Sequence, residues 1–436
     1  MYFTQEFRKI DLDKIGNEMF ELSKRLFPIC RSITGDGVRE TLSIINEYIP
    51  LSISEVPSGT KVLDWEIPEE WNIQDAWVKN SKGEKIVDFK NSNLHVVNYS
   101  IPVDKKVSLN ELKEHIFTIP EYPEWIPYKT TYYNRNWGFC MPHKLYEQLD
   151  NGEYQVKIES ELKKGLLTYG ELLIKGRLKE EVLFSCHICH PSLCNDNLSG
   201  IVIATQLANI LKKFNLKNSY RFVFVPGTIG AISWLSQNEQ KVQNIKSGLV
   251  LTLLGDSSSF HYKKSRKGNA DVDSIMEYLL NQNEESKIHD FSPYGYDERQ
   301  YCSPGFNLPV GRITRTPFGE FPEYHTSADN LDFIGANNLS ESISLLFQFI
   351  SIMETNSKYY NLFPKGEPQL GKRGLYDSSE GQNFSNEYRD ALLWILNLSD
   401  GNHTLLDIAI KSKLKFESIL QSANQLNKAG LLKEIV

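Results

Sequence analysis

The residues best suited to chemistry crowd into one stretch. Cys186-His187-Ile188-Cys189-His190-Pro191 is followed at once by Cys194-Asn195-Asp196-Asn197-Leu198-Ser199-Gly200. Neutral imidazole nitrogen and carboxylate oxygen are good ligands for a borderline cation such as Zn2+. A histidine leaving a strand and an aspartate nine residues later, on the loop into a helix, can converge on one ion. The cysteines allow another reading, a C-x2-C-x4-C cluster for zinc or iron–sulfur. A closed site of that kind needs a fourth ligand, and Cys140 and Cys302 stand isolated, without paired spacing. Small thiols at a buried strand end also serve as packing residues. A second feature is Tyr324-His325-Thr326-Ser327-Ala328-Asp329-Asn330, preceded by Pro317-Phe318-Gly319-Glu320-Phe321-Pro322-Glu323.

Positioning these groups requires a strand end meeting a helix start. Glu181–Cys186 (EVLFSC) reads as a short buried strand. Leu198, Ile201, Ala204, Ala208 and Leu211 recur at helical spacing over Leu198–Phe214. Tyr220–Val225, Gly248–Leu254 and Leu308–Ile313 read as further strands. Amphipathic helices are expected at 11–27, Ala270–Gln282 and Asn338–Thr355, and Ser32–Ile49 opens another. Alternating strands and helices predict a largely parallel sheet centre with helices on both faces. In such sheets ligands bind beyond the carboxyl ends of the strands, where the His–Asp stretch falls.

The stretch from about Val62 to Tyr154 is different in texture. It is rich in Trp, Tyr and Pro, with short alternating runs, and reads as an inserted β-rich module. Its His95, Tyr132, Tyr133, Trp137 and Cys140 suit the small core of a β-domain better than a ligand wall, although an aromatic cluster beside a cleft could stack on a sugar or cover a peptide. The tail from 384 to 436 shows three short helical patterns and a final strand-like run, the outline of a winged helix, with 361–383 as linker. The basic run His261–Lys267 is most simply a solvated turn.

The chain has 436 residues, 40% hydrophobic, 24% charged and 11% aromatic, an ordinary globular composition with room for two to four domains. A net charge of −7 argues against a polyanion binder. From Ser385 to Val436 six basic residues balance six acidic ones, so a DNA role for the tail is disfavoured against docking to a protein. Six cysteines form no disulfide framework, and neither a leader-like nor a membrane-spanning apolar run is visible, so a cytoplasmic protein is expected.

A strand ending in His, then Asp-Asn-x-Ser-Gly, then a distant Tyr-His-Thr-x-x-Asp resembles the zinc aminopeptidases of the M28 type. Their pattern is His-x-Asp, Asp-Asn-x-Ser-Gly, a Glu-Glu pair after the next strand, an Asp in a later strand and a closing His. More closely, the chain resembles bacterial proteins of the DUF4910 family. These have an aminopeptidase-like domain, an inserted β-rich domain (DUF2172) and a C-terminal winged helix, and are often linked to polysaccharide biosynthesis. Arg31-Ser32-Ile33-Thr34-Gly35, Ser92-Asn93-Leu94-His95, Trp137-Gly138-Phe139-Cys140, Cys189-His190-Pro191 and Gly366-Glu367-Pro368-Gln369-Leu370-Gly371 fit that resemblance nearly end to end.

The resemblance implies an α/β fold of the zinc aminopeptidase (phosphorylase/hydrolase) type. It spans 1–61 and 155–360, interrupted by the module at 62–154 and followed by the winged helix at 384–436. It also implies that His187 is the first metal-ligating histidine, Asp196 the bridging aspartate and His325 the closing histidine. Three departures follow. Cys189 stands where a carboxylate would orient the imidazole, so His190 either replaces it or competes with His187 as ligand. Gly227 falls where the peptidases carry the glutamate base, and Thr252 falls near the later aspartate ligand. One zinc per chain is then expected in place of two, with a base from elsewhere: Asp297, Glu298 or Glu323. The leading function is hydrolysis of an amide in a peptide or acylated amino-sugar. The rivals are a non-catalytic binder of such ligands, favoured by Gly227, and a regulator acting through the winged helix.

Overall fold

The computed structural model describes residues 7, 9–375 and 386–435. Residues 11–344 form one unit; residues 345 onward, with the described residues 7, 9 and 10, form another.

The larger unit is built on an eight-stranded sheet: β1 Ser52–Pro57, β2 Leu166–Ile174, β3 Glu181–His187, β4 Ser219–Val225, β5 Ile245–Leu251, β6 His261–Lys263, β7 Lys287–His289 and β8 Val310–Thr314. The strands lie in the order β1-β2-β4-β3-β5-β8-β6-β7. β4, β3, β5 and β8 are parallel, as expected for the centre, while β1 and β2 run antiparallel to their neighbours, and β6 runs antiparallel to β8 but parallel to β7. All seven residues of β3 and of β4 are buried, because central parallel strands are covered on both faces and must be apolar on both. Helix α1, Ser199–Leu211, packs on β3 and is itself buried almost all round. Helix α2, Ile229–Gln237, follows β4.

A charged cluster sits among the central apolar strands. Arg221 on β4 binds Glu181 on β3 through Nε (2.6 Å) and Nη2 (3.0 Å), and Glu171 on β2 through Nη1 (2.7 Å). Two flanking carboxylates and a bidentate geometry compensate the guanidinium's lost hydration.

Several boundaries differ from the sequence reading. β5 starts at Ile245 and stops at Leu251; the turn beyond it takes Leu253 into the left-handed region at φ 53°. The run His261–Lys267 is no solvated turn at its start: His261–Lys263 is β6, fully buried, with Lys263 Nζ 2.8 Å from Glu298 Oε1. The inserted module has a four-stranded antiparallel sheet of Lys85–Asp88, Glu70–Lys79, Glu153–Lys163 and Val103–Ser108. Its sheet therefore runs to Lys163 instead of ending at 154. Its start shifts too, since Val62 and Ile67 pack into the main core with Val225 and Ile229. Trp137 and Phe139 fill the module's own core.

The second unit has helices Asn386–Leu398, Leu405–Ser412 and Phe416–Lys428, and a sheet in which Lys358–Asn361 lies between Asp400–Thr404 and Leu432–Ile435. Thr404 and Asp407 form a reciprocal cap that starts the second helix. Because Lys358–Asn361 is a strand of this sheet, the winged helix begins ahead of the expected 384. Of the expected linker 361–383, residues 376–383 lie outside the described residues. Among the described residues no helix is long and apolar enough to cross a membrane.

Replacing Arg221 with Met strands Glu181 and Glu171 in a low-dielectric sheet. The expected loss is about 3–5 kcal/mol of unfolding free energy, read by urea denaturation.

Candidate metal centre

His187 is the last residue of β3, and Asp196 sits on the loop that opens α1. Both are buried to 1% exposure or less. His187 Nε2 lies 2.8 Å from Asp196 Oδ1, and His325 Nε2 lies 3.0 Å from Asp196 Oδ2. His190 points at the same carboxylate, with Nδ1 3.9 Å from Oδ1. Three histidines that are distant or competing in the sequence thus surround one carboxylate. His187, His190 and Asp196 have ligand atoms within 4.8 Å of one another, the spacing of a metal-binding group.

The Asp-Asn-x-Ser-Gly loop is pinned from several sides. Asn197 Nδ2 donates to the carbonyls of His187 (3.3 Å) and Leu251 (3.1 Å), tying the ends of β3 and β5 together. Asn195 Nδ2 donates to Asp256 (2.9 Å), and its Oδ1 accepts the Gly255 N–H (2.8 Å). Asp329 accepts the backbone N–H groups of Asn195 (2.6 Å) and Asp196 (2.9 Å). At Gly200 a Cβ would stand 2.4 Å from the Leu251 carbonyl, so no side chain fits where α1 meets β5.

His325 takes φ 56°, a left-handed conformation that costs a side-chain-bearing residue of order 1–2 kcal/mol. Its carbonyl accepts the Tyr128 N–H at 2.7 Å, and its ring stacks on Tyr324 at 3.9 Å. Tyr128 comes from the inserted module. Its ring meets His190 and His325 edge-on at 5.2 and 5.1 Å. Tyr296 lies parallel to His187 at 5.1 Å. No spacing signal marks Tyr128 in the sequence; the bridge between Pro127 and Thr326 brings it to the group.

Electrostatics suit a cation. Burial pushes the Asp196 carboxyl up, but the facing His190, His187 and His325 outweigh it and hold it well below the usual range. Burial pushes His190 down to about 3, so its imidazole is neutral, the form in which it ligates metals. Its Nδ1 is buried and has no hydrogen-bond partner among the described residues. A polar atom in that condition is rare unless something absent satisfies it. The donor set and this orphaned nitrogen fit a divalent cation.

The cysteines do not join the group. Burial pushes Cys186 well above its ordinary range and Cys189 up to about 12, so both are neutral thiols. Cys186, Cys189 and Cys194 are all buried and stand outside the metal-spaced group found among the described residues, so the C-x2-C-x4-C reading gives way to packing. Of the three carboxylates considered as base, Glu298 is engaged with Lys263 (2.8 Å) and Arg312 (3.5 Å). Glu323 is half-buried, and its carbonyl closes the turn by accepting Thr326 N (3.0 Å) and Oγ1 (2.8 Å). Asp297 differs from both. It is fully buried, neither oxygen has a partner among the described residues, and burial pushes it up to about 7. A Cβ at Gly227 would lie 3.6 Å from Asp297 Oδ1 and 3.0 Å from His187 Cβ.

Buried histidine and aspartate beyond the parallel strand ends of this mixed sheet define an aminopeptidase-type α/β protein with a candidate metal group. The chain is 50% identical over 419 residues, 96% of each chain, to a Clostridium acetobutylicum protein described as "Putative polysaccharide biosynthesis protein with aminopeptidase-like domain". It is also similar to a solved "putative peptidase" from Clostridium acetobutylicum: TM-score 0.94, 48% identity, covering 99% of this chain and 100% of that one. The zinc aminopeptidase BSAP from Bacillus subtilis shares the fold at TM-score 0.55 and 13% identity, over 77% of this chain and 93% of that one. The chain belongs to the DUF4910 family, a domain of unknown function matched over residues 20–356, and residues 357–434 match a winged helix-turn-helix family.

Asp329→Ala leaves two buried N–H groups without an acceptor. It is expected to cost about 2–4 kcal/mol in chemical denaturation, with Asp329→Asn, which keeps one acceptor oxygen, losing less.

Proposed function

We propose that this chain is a zinc-dependent amide hydrolase of the cytoplasm, acting on a peptide or an acylated amino-sugar. The observation that carries the reading is the buried, unpartnered His190 Nδ1 beside His187 and Asp196. These three residues would hold the ion, and His325 would steady Asp196 through its second oxygen. A zinc ion there supplies Lewis acidity, polarising the amide carbonyl and acidifying water. Asp297 then serves as the base: it takes a proton from the attacking water and returns it to the departing amine. Its support is positional, since it faces the space above Gly227 from another loop. Tyr128, Tyr296 and Tyr324 wall the group and limit the access of bulk water. The name of the Clostridium acetobutylicum relative supports a place in polysaccharide biosynthesis. The charge-balanced winged helix is assigned to a protein contact, and measurable DNA retention on filters at low salt would argue against that assignment.

A second reading, a peptidase-like binder without catalysis, is favoured by Gly227 itself. Metal analysis and kinetics separate the two. Purified protein is expected to carry about one zinc per chain. His187→Ala and His190→Ala should abolish it, while His325→Ala weakens affinity about 10- to 100-fold. Zinc near zero in the wild type sinks the proposal. Asp297→Asn should retain the metal and lower kcat by about 10^2- to 10^4-fold on aminoacyl or N-acyl-hexosamine amides. A zinc-loaded wild type inert on both classes makes the protein a binder.

A further inference from the structure

Arg31 lies wholly inside the larger unit, at 0% exposure, yet no carboxylate is bonded to it among the described residues. Its acceptors are two carbonyls and a hydroxyl. Nε donates to the His190 carbonyl at 2.7 Å, and Nη1 to the Leu26 carbonyl at 2.8 Å and to Thr41 Oγ1 at 3.4 Å. Nη2 is buried and has no partner among the described residues. Burial brings the guanidinium down to about 10, so it is still charged at neutral pH. Burial raises the neighbouring thiols of Cys30, Cys189 and Cys194, which are neutral and supply no counter-charge. A buried cation compensated this weakly costs more than an apolar side chain of similar volume. Packing alone does not account for it.

What the guanidinium does, and an apolar side chain cannot, is grip the backbone of His190. Pro191 holds the residue before it to an extended conformation. Ser192, at φ 26°, then turns the chain and donates its hydroxyl to the Phe27 carbonyl at 2.7 Å. The turn after β3 is thus tied twice to residues 26–31. Arg31 is itself held, since Asn98 Nδ2 donates to its carbonyl (2.9 Å) and Asn98 Oδ1 accepts Ser32 Oγ (2.6 Å). We infer that Arg31 is the positioning residue that makes His190 a metal ligand, by fixing the His190 carbonyl so that the imidazole faces Asp196 beside His187. The inference rests on the metal reading of that group. Two histidines whose spacing leaves either free to point inward are thereby both recruited: His187 by the strand, His190 by Arg31.

The test measures zinc affinity of the full-length apo protein by competition with a chromophoric chelator, and records the visible absorption of the Co2+-substituted protein. Arg31→Met should raise the zinc Kd about 10- to 100-fold. Its Co2+ bands should shift as the His190 nitrogen leaves the ligand set. Arg31→Lys, which keeps the charge and a donor for one carbonyl, should recover part of the loss. Ser192→Ala removes the other tie and should act in the same direction by less. Arg221→Met serves as the control for lost stability, and should leave both the Kd and the Co2+ bands unchanged. The inference is overturned if folded Arg31→Met binds zinc with the wild-type Kd and spectrum, or if Arg221→Met weakens zinc as much. Should Arg31→Met fail to fold, wild-type affinity in both Arg31→Lys and Ser192→Ala overturns it. Zinc binding that is indifferent to Arg31 removes this inference alone, whereas a wild type that takes up no zinc removes the metal reading and this inference with it.

Discussion

A carboxylate with no access to water sets the terms for the whole centre. Asp196 is fully buried, and an uncompensated ion there would cost several kcal/mol or shed its charge. Compensation comes from histidines that approach from three directions: the end of β3, the loop that follows it, and a loop well over a hundred residues further on. Everything else in the neighbourhood keeps that meeting point fixed. Asn197 ties two strand ends together, Asn195 reaches Asp256, and Asp329 grips the backbone on which Asp196 is carried. A sheet whose central strands end at one level is what allows so short a loop to gather these partners.

The vacancy at Gly227 has a structural counterpart. In the resemblance to zinc aminopeptidases a glutamate would rise from the turn after β4. Here a side chain at that position would press on His187, and a carboxylate already faces the space from the loop ahead of Glu298. That loop is itself held by a buried ion pair, since Glu298 binds Lys263 of β6 and Arg312 of β8. Adjacent acidic residues consequently have opposite characters. Glu298 is neutralised by two cations and anchors the loop; Asp297 has no partner among the described residues.

This contrast shows why part of the centre was legible in the sequence and part was not. The buried strand ending in His187 and the loop carrying Asp196 are local, so strand and helix periodicity placed them correctly, and the resemblance brought in His325. The choice between His187 and His190 stayed open because a spacing of three residues off a strand end lets either point inward. Asp297 and Glu298 could not be told apart at all, because what separates them is Lys263, a residue that reads as part of a solvated basic turn. Tyr128 left no trace for the same reason: its partners lie some sixty and two hundred residues away. Periodicity reports which face of an element is buried, but it carries no information about which distant polar group waits there.

The inserted module follows from the same logic and becomes part of the centre's construction. The loop that carries His325 is held on both sides. Asp329 reaches inward to the Asp196 backbone, and on the other side Tyr128 N–H holds the His325 carbonyl while Ser327 exchanges hydrogen bonds with Ile126. Left-handed conformations at His325 and Tyr133 cost energy that neither residue recovers locally, so the surrounding contacts must hold them in place. Both sit on segments joined by this clamp: 126–133 in the module, 325–329 in the aminopeptidase-type core. Through this clamp the inserted module takes part in orienting the imidazole of His325 beside Asp196.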